Sequence, residues 1–552
     1  MDRGSDTAKR VIKALVPEKL LHFAWSRFLH AKSKTELSVA SSLVSSPSKL
    51  DAIQQQYSSH NNERDFLTID WLKRRISEID DPALKSYFSV VAIDVTPSLC
   101  APARCYRALI NSVVAVSVQS RLQIGYMSQG NIVFISNYGQ LLRDIESKPH
   151  VELRLVSNET ELSVYLERWV VNDDVLTAPR PNPITRKIYL ASRSATDFLE
   201  TPGKNLAELY PTPLAEECTF DVDVVYTWVN FEDPDWQKML AAHSDSPTLE
   251  ASESRNEQAA VDTDRFLSRD ELKYSLRSLL ELAPWVRNVY VVTNCEPPAW
   301  FDEENPRVRW VYHEEIIDPD HLPTFNSHAI EASIHRVEGL SEHFLYFNDD
   351  LFFLKPVRKS DFFLPNGLPK VRPEPYGMVH GELDEDDPDY VNAARNVQAL
   401  LQSEFGKTVT KLHTHSPQSM RLSVVKACEE TFPEQYESVR SSKFRAITDI
   451  SPTSFMYPNF AYLSGNAVLD YPDVSLVNVA KPYQRILRSY TAAMQSANHE
   501  ELPLTLCIND GGGSAEDESW GETLVEFMRS AFSEISVAEK PFESFSATTS
   551  SD

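Results

Sequence analysis

"HFLYFNDDLFF", residues 343–353, is the stretch on which the fold turns. An apolar and aromatic run enters Asn348, Asp349 and Asp350 and resumes directly beyond them, which reads as a buried strand delivering two adjacent carboxylates at its end. Taking unpaired charge out of water is costly, so carboxylates there call for a cation, a strong donor set or open solvent. These eleven residues alone leave two readings open: a cation-binding strand end, or a strand that stops at a solvated acidic turn.

Working outward, "FDVDVVYTWVNFEDPDW" (220–236) predicts a buried strand from Val222 to Val229, ending near Asn230 and Asp233. An acidic, low-complexity insertion follows at 244–264. Leu272, Leu276, Leu279 and Leu280 then recur at helical spacing until Pro284, with Asp270 as the expected helix cap. Strands are expected at 286–293 and 307–313, and a helix-bearing stretch leads into the 343–353 run. Strand, helix, strand, helix, strand is the grammar of a Rossmann-like α/β sheet, whose ligands gather at the carboxyl ends of its strands. Asn230, Asp233, Asn294 and Asn348–Asp350 all fall at such ends.

Composition bounds the rest. At 552 residues the chain is long enough for two or more units. A net charge of −26 argues against a general nucleic-acid binder, because phosphate backbones reward basic surfaces. It still permits a nucleotide if a metal and a few arginines supply positive charge locally. The six cysteines show no CxxC spacing, so neither a zinc site nor a disulfide framework is indicated, and a reducing compartment is expected. No segment has the ~18 apolar residues that a membrane span needs.

Residues 1–32 read as a basic amphipathic helix on an otherwise acidic chain. It either lies on an anionic membrane surface or docks on its own domain, the bulk of the protein being cytoplasmic in both cases. Residues 33–63 read as a linker. Residues 64–215 read as a smaller α/β or α+β domain, with strand-like runs such as "VVAVSVQ" (113–119), "VELRLV" (151–156) and "LSVYLERWVV" (162–171). A catalytic unit is expected over 216–545 and a disordered tail over 546–552.

"VVYTWVN", "DELKYSLRSLLELAPWVRNVYVVTN", "LPTFNSHAIEASIHRVEGLSEHFLYFNDDLFF" and "LCIND" together resemble the Stealth family of sugar-phosphate transferases. The resemblance covers roughly 219–545, with the family's four regions near 219–236, 264–365, 408–456 and 474–515. It implies transfer of a sugar-1-phosphate from a nucleotide sugar, typically a UDP-sugar, to a hydroxyl of a glycan or lipid-linked glycan. The nucleoside monophosphate leaves, so the enzyme must position a pyrophosphate, neutralise charge and orient the acceptor.

Against those needs, the resemblance points to Asp349 and Asp350 as ligands of Mg²⁺ or Mn²⁺, with Asp350 also catalytic. Asn230, Asp233, Arg265, Asn326, His328, Asn348 and Asp449 are its substrate-binding candidates; for Asn230 and Asp233 the competing reading is a loop-capping pair. In "KLHTHSPQSMRLSVV" (411–425), His415 with Pro417 fits a family His-x-Pro pattern. His415 is therefore the expected general base, with His413 the competitor, and Gln418 stands where some relatives have a second His. Arg445 in "SSKFRAITDIS" would stabilise phosphate charge. The alternatives are a metal-dependent glycosyltransferase using the same donor, or a non-catalytic glycan- or nucleotide-binding protein of the same fold.

Overall fold

The computed structural model describes most of residues 98–540, with Leu72, Arg75, Ile76 and Ser89–Val91 ahead of them. Residues 1–71 and 541–552 lie outside the described residues, as do internal stretches that include 135–143, 191–203, 245–268, 496–501 and 510–516. The expected helix at 1–32, the linker at 33–63, the tail at 546–552 and Arg265 therefore fall outside it. By compactness the chain divides at Asp65/Phe66.

Residues 89–205 build a nine-stranded mixed sheet in which His150–Val156 pairs antiparallel with Glu161–Asn172, and Ser98–Pro102 pairs parallel with Glu161–Asn172. One expectation fails here. "VVAVSVQ" belongs to a helix, Tyr106–Gln119, not a strand. Its valines favour strands locally, but Tyr106, Leu109, Ile110, Val113 and Val116 are buried at helical spacing, and tertiary packing overrides propensity. Within the strand Glu161–Asn172, Glu167 is fully buried and satisfied, with Arg180 Nε at 2.6 Å and Trp169 Nε1 at 3.0 Å.

The second sheet positions the site. Strands β1 (Val222–Thr227), β2 (Val289–Thr293), β3 (Val308–Tyr312) and β4 (His343–Asn348) are parallel. The strand β6 (Gln418–Arg421) closes the edge antiparallel to β4, giving the order β3-β2-β1-β4-β6. The two faces of β1 bury into different cores. Val222, Val224 and Tyr226 pack with Leu272, Leu276 and Leu279 of helix α2 (Glu271–Leu282). Val225 packs instead with Ile334, Val337, Phe344 and Tyr346. A strand buried on both faces reads as a continuous apolar run, which is why the sequence revealed it. Asp270 occupies the N-cap of α2 with left-handed backbone but makes no side-chain capping bond; Glu271 instead accepts from the Arg269 N–H. A small sheet completes the unit: β5 (Leu351–Phe352), β8 (Thr505–Ile508) and β7 (Val474–Val477), with β8 in the middle.

At the amino ends of this sheet Asp223 is fully buried. Arg287 grips it through two bonds of 2.9 and 2.6 Å, and the Asn288 and Ser341 N–H groups donate to it as well. This carboxylate is paired and satisfied, the arrangement that makes a buried charge tolerable.

His313 opens the short helix after β3, buried, with neither ring nitrogen hydrogen-bonded. Burial lowers its imidazole from 6.5 to about 4. Between those values the unfolded chain binds a proton that the folded chain refuses. The stability at stake, up to about 3 kcal/mol, is complete above pH 6.5 and lost as pH falls toward 4. Urea midpoints measured from pH 7 to 4 should therefore fall less steeply for His313→Leu than for the parent. Equal slopes would remove the assignment.

Candidate active site

The strand order reverses between β1 and β4, so the crevice of this sheet lies at their carboxyl ends, where Thr227 and Asn348 stand side by side in register. β4 ends there in Asn348, exposed, followed by Asp349 and Asp350, both half-buried. Asp350 is held by β8. Cys507 Sγ and Asn509 Nδ2 both donate to its Oδ2 at 3.2 Å, and the Ile508 N–H donates to its main-chain oxygen at 2.9 Å. Cys507 and Asn509 reach one carboxylate because alternate residues of an extended chain share a face.

The other oxygen of Asp350, Oδ1, is buried without a hydrogen-bond partner. Burial raises this carboxyl above its usual range, while the neighbouring His415 and the donors from Cys507 and Asn509 pull it back. A buried carboxylate oxygen without a hydrogen-bond partner is an atom that a divalent cation would satisfy. Among the described residues no three His, Cys, Asp or Glu side chains gather into a ready cage. Magnesium characteristically takes only one or two carboxylates and completes its shell with water and substrate phosphate, so a site for it does not require such a cage.

His415 is exposed and lies near enough to Asp350 to offset part of the rise that burial gives its carboxyl. The segment carrying it is fixed by the Thr414 N–H to Arg372 oxygen bond (2.8 Å) and by pairing of Pro373 with His413. His413 is placed very differently. It is buried, its Nδ1 donates to the Thr414 carbonyl at 2.8 Å, and burial first, then Arg372 nearby, takes it down to about 3. An imidazole so depressed stays neutral at working pH and is a poor proton acceptor. Gln418 is buried at the start of β6, its Nε2 3.4 Å from Ser454 Oγ.

A second group forms at the start of helix α3 (Ser327–Glu331). Asn326 is fully buried: its Oδ1 accepts from the His328 N–H at 3.0 Å and its Nδ2 donates to Asp449 Oδ2 at 2.7 Å. Asp449 also accepts from the Ala446 N–H, and His328 Nδ1 lies 3.5 Å from it. Arg445 forks between Asp389 Oδ2 and Ser327 Oγ, each at 2.8 Å, and is partly exposed. Asp389 begins helix α4 (Asp389–Phe405). Asn326 thus works as a cap and clamp, while Arg445 and Ser327 keep partial exposure. The two groups are joined through the following segment: the Thr453 Oγ1 hydroxyl donates to Glu331 of α3 at 2.6 Å, and the His413 N–H donates to Ser454.

Asp233 takes the capping role. Its Oδ1 accepts from the Asp235 and Trp236 N–H groups at the start of helix α1 (Pro234–Ser244), and its Oδ2 from the Glu296 N–H. Asn230 is half-buried, its N–H on Cys295 Sγ at 3.2 Å. The sequence alone does not single out Cys507 and Asn509 as site residues, although the alternation in "LCIND" is the available signal. Asp389 had none, because its partner Arg445 lies 56 residues away.

Comparison with known proteins identifies the family. The family description "Stealth protein CR2, conserved region 2" matches residues 265–371, and "Stealth protein CR3, conserved region 3" matches 414–462. The chain is 34% identical over 513 residues to the capsular polysaccharide phosphotransferase SacB of Neisseria meningitidis serogroup A, covering 92% of this chain and 91% of that protein. It is 38% identical over 393 residues to the exopolysaccharide phosphotransferase SCO6021 of Streptomyces coelicolor, covering 67% and 69%. Among solved structures, a galactosyltransferase LgtC bound to donor and acceptor sugar analogues overlaps 56% of this chain and 95% of its own, at 9% identity and a TM-score of 0.26, too low to bear on the chemistry. With SacB matched along nearly the whole length, this chain is a phosphotransferase and belongs to the Stealth family.

Proposed function

We propose that the enzyme moves a sugar-1-phosphate from a nucleotide sugar, a UDP-sugar such as UDP-N-acetylglucosamine, to a hydroxyl of a growing capsular or exopolysaccharide chain. The observation that carries this reading is the buried, unpartnered Oδ1 of Asp350 at the strand-order reversal, with His415 exposed beside it. The acceptor hydroxyl attacks the phosphorus that bears the sugar, a phosphodiester P–O bond forms, and the P–O bond to the nucleoside monophosphate breaks.

Asp349 and Asp350 would hold Mg²⁺ or Mn²⁺, which when bound supplies charge neutralisation for the diphosphate. Cys507 and Asn509 fix the Asp350 carboxylate so that Oδ1 faces that work. His415 takes the proton of the acceptor hydroxyl. Arg445, held by Asp389 and Ser327, presents its remaining N–H groups to phosphate oxygens, a role in which a planar guanidinium exceeds a lysine. Asn326, His328 and Asp449 set the position of Arg445 and the α3 terminus, while Asn348 and Asn230 line the crevice. Arg265 is proposed for the phosphates on the resemblance alone. The setting is the cytoplasmic face of the membrane, where residues 1–32 contact anionic lipid; no helix among the described residues is long and apolar enough to cross a bilayer.

Identifying the released nucleotide tests the reaction. UMP marks phosphoryl transfer, whereas UDP marks the competing glycosyl transfer and ends the proposal. Arg445→Ala should raise the donor KM and lower kcat together, about a hundredfold in kcat/KM, because a phosphate-binding cation acts in ground and transition states alike. A variant with unchanged donor KM and kcat would assign Arg445 to a structural ion pair.

A further inference from the structure

Helix α4 organises an exposed aromatic surface that the reaction above has not used. Tyr376 (56% exposed), Met378, Leu383 and Tyr390 (43% exposed) present apolar side chains to solvent within fifteen residues of chain. Single exposed apolar residues are ordinary; four on one short stretch point to a contact surface. The backbone that carries them is firmly held. Asn392 both donates to and accepts from the main chain of Asp384, at 2.6 and 3.1 Å. Arg395 spans from the His380 carbonyl to Asp387 Oδ2, and Gln398 bonds the carbonyls of Val379 and Val409. Gly377, between Tyr376 and Met378, lies so close to Thr410 that an added Cβ would meet its Oγ1 at 2.9 Å. A surface fixed in advance loses little entropy when a ligand lands, and tyrosine gives broad contact with few rotatable bonds.

Both edges of this surface run into the candidate site. Segment 373–379 lies along 410–414, through Glu374 N–H to Leu412 and Met378 N–H to Thr410, and that strip continues directly to His415. Tyr390 follows Asp389, the residue that holds Arg445. Glu382, Asp384, Glu385 and Asp386 rim the loop, all exposed. Carboxylates accept from sugar hydroxyls and repel phosphate, while tyrosine rings offer a flat face to the C–H side of a pyranose. We propose that this surface, centred on Tyr376 and Tyr390, is the subsite that binds uncharged terminal sugar rings of the acceptor glycan and leads its hydroxyl to His415. This rests on the phosphotransfer reading for the hydroxyl's fate but not for the binding itself.

The test is binding of a panel of neutral hexose and N-acetylhexosamine trisaccharides to the full chain, followed by saturation-transfer NMR. At least one should bind the parent protein. Tyr376→Ala and Tyr390→Ala should each weaken it about tenfold or more, with the thermal midpoint kept, and the corresponding Phe variants should restore it because the ring face is the contact. Where an accepted trisaccharide also supports turnover, its KM should rise in the Ala variants while the donor KM moves less than twofold. No binding by the parent to any member, or undiminished binding by both Ala variants, overturns the proposal. The nucleotide released reports separately on the reaction, so the two claims fail independently.

Discussion

Asp350→Asn should abolish turnover, by a thousandfold or more, and leave the protein as stable as before or more so. The first half follows from geometry. In the parent, Oδ2 is committed to Cys507 and Asn509 and Oδ1 is buried without a partner. An asparagine would keep its oxygen toward those donors and turn its NH₂ to the Oδ1 position, placing a donor where an acceptor for a cation is needed. The second half follows from energetics. A carboxylate pushed upward by burial is a cost carried by the fold, and removing its charge relieves it. Measured together, kcat across a Mg²⁺ titration and the thermal midpoint separate the readings. Lost activity with a lowered midpoint would make Asp350 a structural residue, and retained activity would end the cation assignment.

His415→Ala carries the next largest effect, a fall in kcat of about a hundredfold with little change in donor KM, as expected for loss of general-base assistance. His413 is the internal control, two residues away and chemically identical. It is buried, bonded to the Thr414 carbonyl and lowered by burial to about 3, which makes it a poor proton acceptor at neutral pH. His413→Ala should lower stability through its lost packing and hydrogen bond, while the folded fraction keeps kcat within a few fold. If His413→Ala instead removes activity from a folded protein and His415→Ala does not, the base must be reassigned.

The central sheet was legible because its strands, buried on both faces, leave unbroken apolar runs, and the strand-end polar residues mark the carboxyl edge without reference to anything distant. The 113–119 run shows the limit: valines at alternating positions look like a strand, and only the burial of Tyr106, Leu109 and Ile110 settles them into a helix. The site divides along the same line. Local pattern and resemblance are enough to single out Asp349, Asp350 and His415 as candidates. What a polar side chain does once placed was not, since Asp233 and Asn326 bond to backbone N–H groups that their own turns bring round. Cys507 and Asn509 meet Asp350 across more than 150 residues, a pairing that only the β5–β8 contact creates.

The clamp of Asp223 by Arg287 at the amino ends of the sheet bears on how such enzymes diversify. It ties β1, β2 and the approach to β4 together at the end remote from the candidate site, which lightens that duty on the opposite rim. Mutational drift along that rim can then change which sugar is carried or which polymer is extended without first threatening the scaffold, and lineages would diverge in polymer chemistry faster than in architecture. The same asymmetry advises the engineer to leave the Asp223 end alone and to place libraries at the strand tips near Asn230, Asn348 and the Tyr376 loop.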